Sequence, residues 1–195
     1  SSGESGSFDV ISSRKEALIL VFGPKGAGKT SLLRTSGLGE VVNVIPFQNF
    51  CYERLETRRT SMLCWDSDEG IHPTWIRSKR QRIGMVFVCD GSDQKSLRSS
   101  QTMLLDFIES TRMPIHTPLL VIANKQDIDK AASVQEVTKL YGLRLLNRPF
   151  LCLGAGQRRG KDFHIGLDWM LSKLEMNSRA ALAKSTVSCL RSTSR

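Results

Sequence analysis

The sequence VFGPKGAGKTS, residues 21–31, decides how the rest of the chain is interpreted. It fits the pattern G-x-x-x-x-G-K-[ST], in which a glycine-rich loop cradles phosphate groups. Glycines let the backbone turn tightly around a polyphosphate, and the loop N–H groups and the start of the next helix favour its negative charge. We therefore expect phosphates to be held by Gly26, Ala27, Gly28, Lys29, Thr30 and Ser31.

The sequence on both sides of this loop supports the interpretation. Residues 17–22, ALILVF, form a continuous apolar run that is typical of a buried strand, and residues 30–34 predict the first turn of a helix. Strand, glycine loop and helix are the setting that this loop requires, although a chance match in a glycine-rich turn is the alternative. Lys29 would reach the β- and γ-phosphates, and the Thr30 hydroxyl would ligate Mg²⁺.

An acidic residue downstream extends the predicted metal site. Residues 50–52 and 61–66 predict two antiparallel strands that are joined by a polar turn at residues 57–59. Asp66 closes the second strand, and an aspartate at a strand end beyond a phosphate-binding loop is typical of a carboxylate that holds Mg²⁺ directly or through water. The alternative is an aspartate that merely initiates a turn.

The tetrapeptide Asn124-Lys125-Gln126-Asp127 follows another apolar strand, residues 118–123. The Asp127 carboxylate can accept two parallel hydrogen bonds from N1–H and the N2 amine of guanine, and adenine offers no such pair of donors. Because an unpaired buried polar group is costly, adenine would be rejected. We expect Lys125 to lay its stem along the purine ring and Asn124 to tie this loop to the phosphate-binding loop.

The loop after the last predicted strand, residues 149–153, completes the expected nucleotide site. There Gly156 and Gln157 could present backbone N–H groups to guanine O6. The cofactors that this set of residues predicts are GTP or GDP together with Mg²⁺.

The composition and net charge of the chain limit the classes of partner that we expect it to bind. The chain has 195 residues, which suits one domain, and a net charge of +9. Nucleic acid or an acidic membrane would be the usual interpretation of such a charge. However, Lys and Arg are spread over residues 54–59, 77–82, 158–161 and the C-terminal tail, and no aromatic ladder accompanies them. We therefore expect no nucleic-acid partner, but solvated faces and a peripheral attraction to anionic lipid.

The cysteines indicate a reducing compartment. There are five, and they are scattered along the chain without the spacing of a disulfide framework or a zinc site. The N-terminal residues SSGESGSFDV are too polar and acidic for a secretory signal. These features predict a cytoplasmic protein that associates with membranes at most peripherally.

The order of elements predicts the fold class. Residues 83–90 predict a further buried strand, and helices are predicted over residues 95–110, 133–141 and 162–175, the last with Phe163, Ile165, Leu167 and Met170 in the core. Strands thus alternate with helices, and the ligand motifs follow strand ends, which favours a doubly wound α/β sheet with the nucleotide over the carboxyl ends of its strands. We predict six strands, mostly parallel, with helices on both faces. Residues 15–176 would form the GTP-binding domain, residues 1–14 a flexible arm, and residues 177–195 a basic, partly disordered tail.

Several motifs together resemble the ADP-ribosylation-factor-like small GTPases. They are GPKGAGKTSLL, LGEVVNVIP, the WD at residues 65–66, FVCDGSD, VIANKQD and GLDWMLSKL, and they span roughly residues 17–175. The resemblance implies the small-GTPase fold and a GTP/GDP switch that works at membranes in trafficking or ciliary transport. It also implies two segments that respond to the γ-phosphate, residues 42–50 and 66–80, where an effector or regulator protein would bind.

The chain departs from this family in both of these segments. The family has I-P-T-x-G-F in the first, and its Thr ligates Mg²⁺, whereas Phe47 stands there in this chain and Asn49 replaces the Gly. The family has W-D-x-G-G-Q in the second, whereas Asp68 and Glu69 stand near the expected γ-phosphate and the water-orienting Gln has no counterpart. We therefore name no catalytic residue and expect weak or no intrinsic GTP hydrolysis.

A binding role would then depend on apolar anchors around these segments, for which the candidates are Phe47, Phe50, Trp65 and Trp75. Two alternatives stay open. One is an active GTPase that an activating protein completes in trans, and the other is a pseudo-GTPase interaction module that does not bind nucleotide. The intact phosphate loop disfavours the second, and the guanine motif disfavours a P-loop kinase or ATPase.

Overall fold

The computed structural model describes residues 17–47, 50–65, 82–156 and 160–192. Seven strands in these ranges form one sheet, and they are β1 (Ala17–Phe22), β2 (Val41–Phe47), β3 (Phe50–Glu56), β4 (Thr60–Cys64), β5 (Ile83–Asp90), β6 (Leu119–Asn124) and β7 (Phe150–Gly154). The helices are α1 (Lys29–Thr35), α2 (Gln94–Thr111), α3 (Val134–Leu140) and α4 (Gly160–Ser192), and a short 3-10 helix covers Leu143–Leu145.

The sheet has the order β2-β3-β4-β1-β5-β6-β7. Strands β4, β1, β5, β6 and β7 run parallel, and β2, β3 and β4 pair antiparallel. This confirms the predicted mostly parallel α/β sheet, but the predicted number of six strands was wrong, because β2 is a further strand. Its sequence, VVNVIPF, includes Asn and Pro, which are unfavourable in a strand interior, and β2 is an edge strand, where Pro is tolerated.

Helices cover both faces of the sheet, as predicted. On one face the core includes Leu97 and Leu104 of α2 and Val137 of α3, and on the other it includes Leu33 of α1 and Phe163 of α4. Because both faces are covered, all residues of β1 and of β6 are buried, which explains why their sequences are continuous apolar runs.

Side chains at the helix starts fix two of the helix boundaries. Asp93 caps α2 by accepting hydrogen bonds from the backbone N–H groups of Lys95 and Ser96. Ser133 and Glu136 form a reciprocal capping box at the start of α3. The helices predicted over residues 95–110 and 133–141 are therefore confirmed to within one residue at each end.

The last helix is longer than predicted. The sequence favours residues 162–175, but α4 runs to Ser192, and the chain after residue 175 contains neither Gly nor Pro to end it. Phe163, Leu167 and Met170 face the core as predicted, whereas Ile165, predicted as core, is 58% exposed. Within the described residues, neither α4 nor any other helix has the length and apolarity that crossing a membrane requires.

Candidate functional site

The phosphate-binding loop connects β1 to α1. At two of its positions both the backbone conformation and the lack of room for a side chain require glycine. Gly23 has φ +150° and Gly28 has φ +88°, both in the region that side chains rarely adopt. A Cβ at Gly23 would collide with the Val88 carbonyl, and one at Gly28 would collide with the Asn124 side chain. The loop is thus pressed against β5 on one side and against the guanine-motif loop on the other.

Lys29 lies at the start of α1 with only 4% of its surface exposed. Its ammonium donates to the carbonyl oxygens of Gly23 and Pro24, at 2.9 and 2.7 Å. These acceptors belong to the loop itself, so the side chain curls back over the loop. The ammonium and the N-terminal end of α1 both place positive charge at this loop, which favours an anion.

The other predicted phosphate-binding residues occupy the same turn. Ala27 is buried, and its carbonyl oxygen accepts a hydrogen bond from Nδ2 of Asn124 at 2.8 Å. Gly26 and Ser31 are exposed, the first in the loop and the second in the first turn of α1. Asn124 therefore ties the guanine-motif loop to the phosphate-binding loop, as the sequence predicts.

A carboxylate that sequence reasoning missed stands beside Thr30. The Thr30 hydroxyl donates to Oε2 of Glu53 at 2.5 Å, and Nη2 of Arg34 lies 3.4 Å from Oε1 of the same carboxylate. Glu53 lies in β3, directly opposite Cys64 of β4. Cys64 stands two positions before Asp66 in the sequence. This register, which local sequence patterns do not encode, places Glu53 beside the end of the strand that leads to the predicted metal ligand.

The oxygen atoms of Thr30 and Glu53 suit Mg²⁺, which prefers oxygen ligands and is usually bound by one or two protein side chains and by substrate phosphates. No group of three or more His, Cys, Asp or Glu residues in the described part of the chain could hold a metal ion. The predicted metal ligand Asp66 lies outside the described residues, and so does Gln157.

Trp65, which we expected to serve as a surface anchor, is buried instead, with 4% of its surface exposed. Its ring stacks on Phe22 with centroids 5.6 Å apart, and its backbone N–H donates to the Val21 carbonyl at 3.1 Å. The expectation was wrong because Trp65 extends the strand beside β1 and fills the core. Trp75 lies outside the described residues, and so do the side chains of Phe47 and Phe50.

Lys125 adopts a left-handed conformation, φ +61°, and its ammonium lies 2.5 Å from Oδ2 of Asp90 at the end of β5. Burial alone would raise the pKa of the Asp90 carboxyl. Hydrogen bonds from Lys125 and Ser92 outweigh burial and hold that pKa below its ordinary value of 3.8. The carboxylate thus stays charged and fixes the head of Lys125. No pattern in the sequence indicates this contact.

The last site residues come together from two loops. The backbone N–H of Gln126 donates to the Ala155 carbonyl at 2.8 Å, and the N–H of Ala155 donates to the Ala123 carbonyl at 3.0 Å. A Cβ at Gly156 would lie 2.5 Å from Oδ1 of Asp127, so these two residues are in contact across the loops. The phosphate-binding loop, the guanine-motif loop and Gly156 thus meet at the carboxyl ends of β1, β6 and β7.

Comparison with protein families agrees with this arrangement. The model of the ADP-ribosylation factor family matches residues 6–174, which is most of the chain. The match includes the phosphate-binding loop, β3 with Glu53, and the guanine-motif loop. The chain therefore belongs to the ADP-ribosylation factor family of GTP-binding small GTPases.

Proposed function

We propose that this chain binds GTP and GDP with Mg²⁺ and acts through a partner protein as a regulator or scaffold in membrane or ciliary trafficking, with little or no GTP hydrolysis of its own. The observation that carries the nucleotide-binding part is the contact between the two predicted loops. Asn124 bonds to Ala27 and packs against Gly28, so the phosphate-binding and base-binding groups are held at a fixed separation.

The phosphates would be bound mainly by backbone groups of the first loop, from Gly26 to Gly28, and by the side chains of Lys29, Thr30 and Ser31. Lys29 would exchange its two carbonyl acceptors for phosphate oxygens, which form stronger, charge-assisted hydrogen bonds. Its burial supports this role, because a buried ammonium needs close partners.

The metal would be held by Thr30, by Glu53 and by Asp66. Held by these side chains, Mg²⁺ would neutralise negative charge on the phosphates. The short contact between the Thr30 hydroxyl and the Glu53 carboxylate supports this proposal, because two oxygen ligands already converge beside the loop. Glu53 would compensate in part for Phe47, which has no oxygen to offer in the first switch segment.

Guanine would be recognised by Asp127, with the stem of Lys125 along the ring and with the backbone of Gly156 and Gln157 at O6. Gly156 supports this proposal, since its lack of a side chain leaves the space beside the Asp127 carboxylate. The ion pair with Asp90 holds the head of Lys125 at one position, which would keep its stem in place for the purine.

Weak hydrolysis follows from residues near the expected γ-phosphate. Asp68 and Glu69 would bring like charge toward it, and the sequence has no Gln between residues 66 and 80 to orient water. The partner would bind at residues 42–50 and 66–80, and the basic surface would add a peripheral contact with anionic membrane.

Single-turnover hydrolysis of bound GTP tests this proposal. We expect the parent chain to retain GTP and barely to cleave it. Combining Phe47→Thr with replacement of Asp68–Glu69 by Gly-Gly-Gln should produce measurable, Mg²⁺-dependent turnover, because it restores a metal ligand and a group that orients water.

The matched control replaces Asp68–Glu69 by Gly-Gly-Ala in the Phe47→Thr background, which changes the loop equally but supplies no Gln. This control should stay slow. A parent rate equal to that of ordinary small GTPases would contradict the proposal of weak hydrolysis. Failure of the parent to retain any guanine nucleotide would contradict the binding proposal itself.

A further inference from the structure

Strand β7 forms an uncharged edge of the sheet. It pairs with β6 on one side, and no other strand of the described residues pairs with it on the other side. Its sequence, FLCLG, has no charged residue and no Pro. Natural proteins usually protect an edge strand with charges, Pro or bulges, because its unpaired backbone groups can pair with another chain. This edge lacks the first two of those protections.

The backbone pairing shows which groups of β7 face outward. The Pro149 carbonyl accepts from the N–H of Leu119, and the N–H of Ala155 donates to the Ala123 carbonyl. Because pairing residues alternate along a parallel strand, positions 149, 151, 153 and 155 bond to β6. The backbone N–H and C=O groups of Phe150 and Cys152 therefore point away from β6, toward the open side.

A groove of about 610 Å³ runs along this edge, between α3 and β7. Its lining includes Val134 and Thr138 of α3, Leu145 of the 3-10 helix, and Phe150, Leu151 and Cys152 of β7. The side chain of Cys152 belongs to the core on the α3 face, whereas that of Leu151 packs against the core on the α4 face. Because consecutive residues of the edge strand line it, and their side chains lie on opposite faces of the sheet, the groove lies along the edge of β7.

The charge of the groove has one sign. Among the residues that the structure describes, the charged ones that line it are Lys139 and Arg144, and none of the lining residues is acidic. The carboxylate of Glu136, on the same helix, is engaged by the backbone and hydroxyl of Ser133. In the same groove Leu145 exposes 85% of its surface, so an apolar side chain of a bound segment could cover it.

We propose that this groove binds an acidic segment of a partner protein in an extended conformation, added to β7 as a further strand. The backbone of the segment pairs with Phe150 and Cys152, its carboxylates meet Lys139 and Arg144, and an apolar side chain covers Leu145. Strand addition of this kind takes its affinity from backbone hydrogen bonds and its specificity from alternate side chains. None of the lining residues is one that we propose to bind nucleotide, so this inference goes beyond the proposed function.

Fluorescence anisotropy with a labelled octapeptide of alternating Glu and Val tests the proposal on the full chain. We expect saturable binding, and we expect the double variant Lys139→Glu with Arg144→Glu to weaken it at least about tenfold, since two charge-assisted contacts become repulsive. The matched control reverses two exposed cations on α2, Lys95→Glu with Arg98→Glu, and should bind as the parent does. Thermal melting of each variant checks that it is folded.

A second peptide tests strand pairing separately from charge. It has the same sequence with N-methyl groups on alternate residues, which removes the backbone donors on one edge and keeps every side chain. We expect it to bind at least about tenfold more weakly. Equal binding of both peptides, equal weakening by the α2 control, or absence of peptide binding would overturn the proposal. The proposal would also be overturned if the parent chain bound phosphatidylserine vesicles but not the peptide, and the double variant lost that vesicle binding.

Discussion

At the scale of single residues, two carboxylates organise the candidate site without belonging to any motif. Glu53 accepts the hydrogen bond of the Thr30 hydroxyl, and Asp90 pairs with the ammonium of Lys125. Both lie in or at the end of strands that flank the motif residues. Each therefore holds in place a side chain that a sequence motif identifies but does not position.

If Glu53 helps to hold Mg²⁺, Glu53→Gln should weaken the dependence of nucleotide retention on Mg²⁺, because an amide oxygen is a weaker ligand than a carboxylate. We expect GDP to dissociate faster from the variant in millimolar Mg²⁺ and at nearly the parent rate after chelation. The measurement is release of a fluorescent GDP analogue. The control is Glu56→Gln on the same strand, where the carboxylate bonds to Arg54 and Ser61 instead. Equal Mg²⁺ dependence in Glu53→Gln and the parent would rule out this role.

The Asp90–Lys125 pair predicts a pH-dependent contribution to stability. The pKa of Asp90 is lowered in the folded chain, so its contribution exists above the unfolded pKa, near 3.8, and is lost as the pH falls through the folded pKa. Asp90→Asn should therefore reduce the free energy of unfolding by about 1 kcal/mol at neutral pH, since the pair is partly solvent-screened. Denaturant unfolding of both proteins at neutral and strongly acidic pH measures this. A difference that persists at the acidic end would contradict it.

At the scale of elements, the close approach of α4 to the sheet depends on a missing side chain. A Cβ at Gly84 of β5 would press on the side chain of Met170, which is fully buried in α4. The backbone of Gly84 does not have a positive φ, so its requirement is for space. The contact fixes the helix that follows the Gly156 loop, and so it supports the site indirectly.

Gly84→Val should therefore destabilise the fold by about 1–3 kcal/mol, the usual cost of overpacking a core. Urea unfolding measures this change. Combining it with Met170→Ala, which removes the side chain in the way, should give a loss smaller than the sum of the two single losses, because the sites are in contact. Additive losses would show that Met170 is not what limits the space at Gly84.

The sequence predicts elements well where burial makes the pattern simple. The runs ALILVF and PLLVIA belong to strands covered on both faces, so their apolar character alone identifies them. Prediction from the sequence fails for β2, where Asn43 and Pro46 interrupt the apolar pattern. It also fails for the end of α4, where no Gly or Pro marks the last residue of the helix. Glu53 and Asp90 could not be identified as site residues because their partners are distant in sequence. Their roles arise from strand register, which local patterns do not encode.

At the scale of the whole molecule, the fold brings the predicted nucleotide-binding groups together at the carboxyl ends of the strands. In a parallel sheet the carboxyl ends of all strands meet at the same side, so loops after β1, β6 and β7 converge although they are far apart in sequence. The groove beside β7 uses the outer edge of the sheet instead. We therefore propose that one chain combines a site for a small ligand with a second surface for a partner.

Guanine selectivity tests the central claim most directly, because it requires the two loops to act together. The measurement is displacement of a fluorescent GDP analogue by GTP and by ATP, with the parent chain and with Asp127→Asn. We predict that GTP displaces at a concentration at least about 100-fold lower than ATP, and that Asp127→Asn moves the preference toward xanthine nucleotides, whose ring offers an acceptor in place of a donor. Equal displacement of the analogue by ATP and GTP from the parent chain would contradict the account.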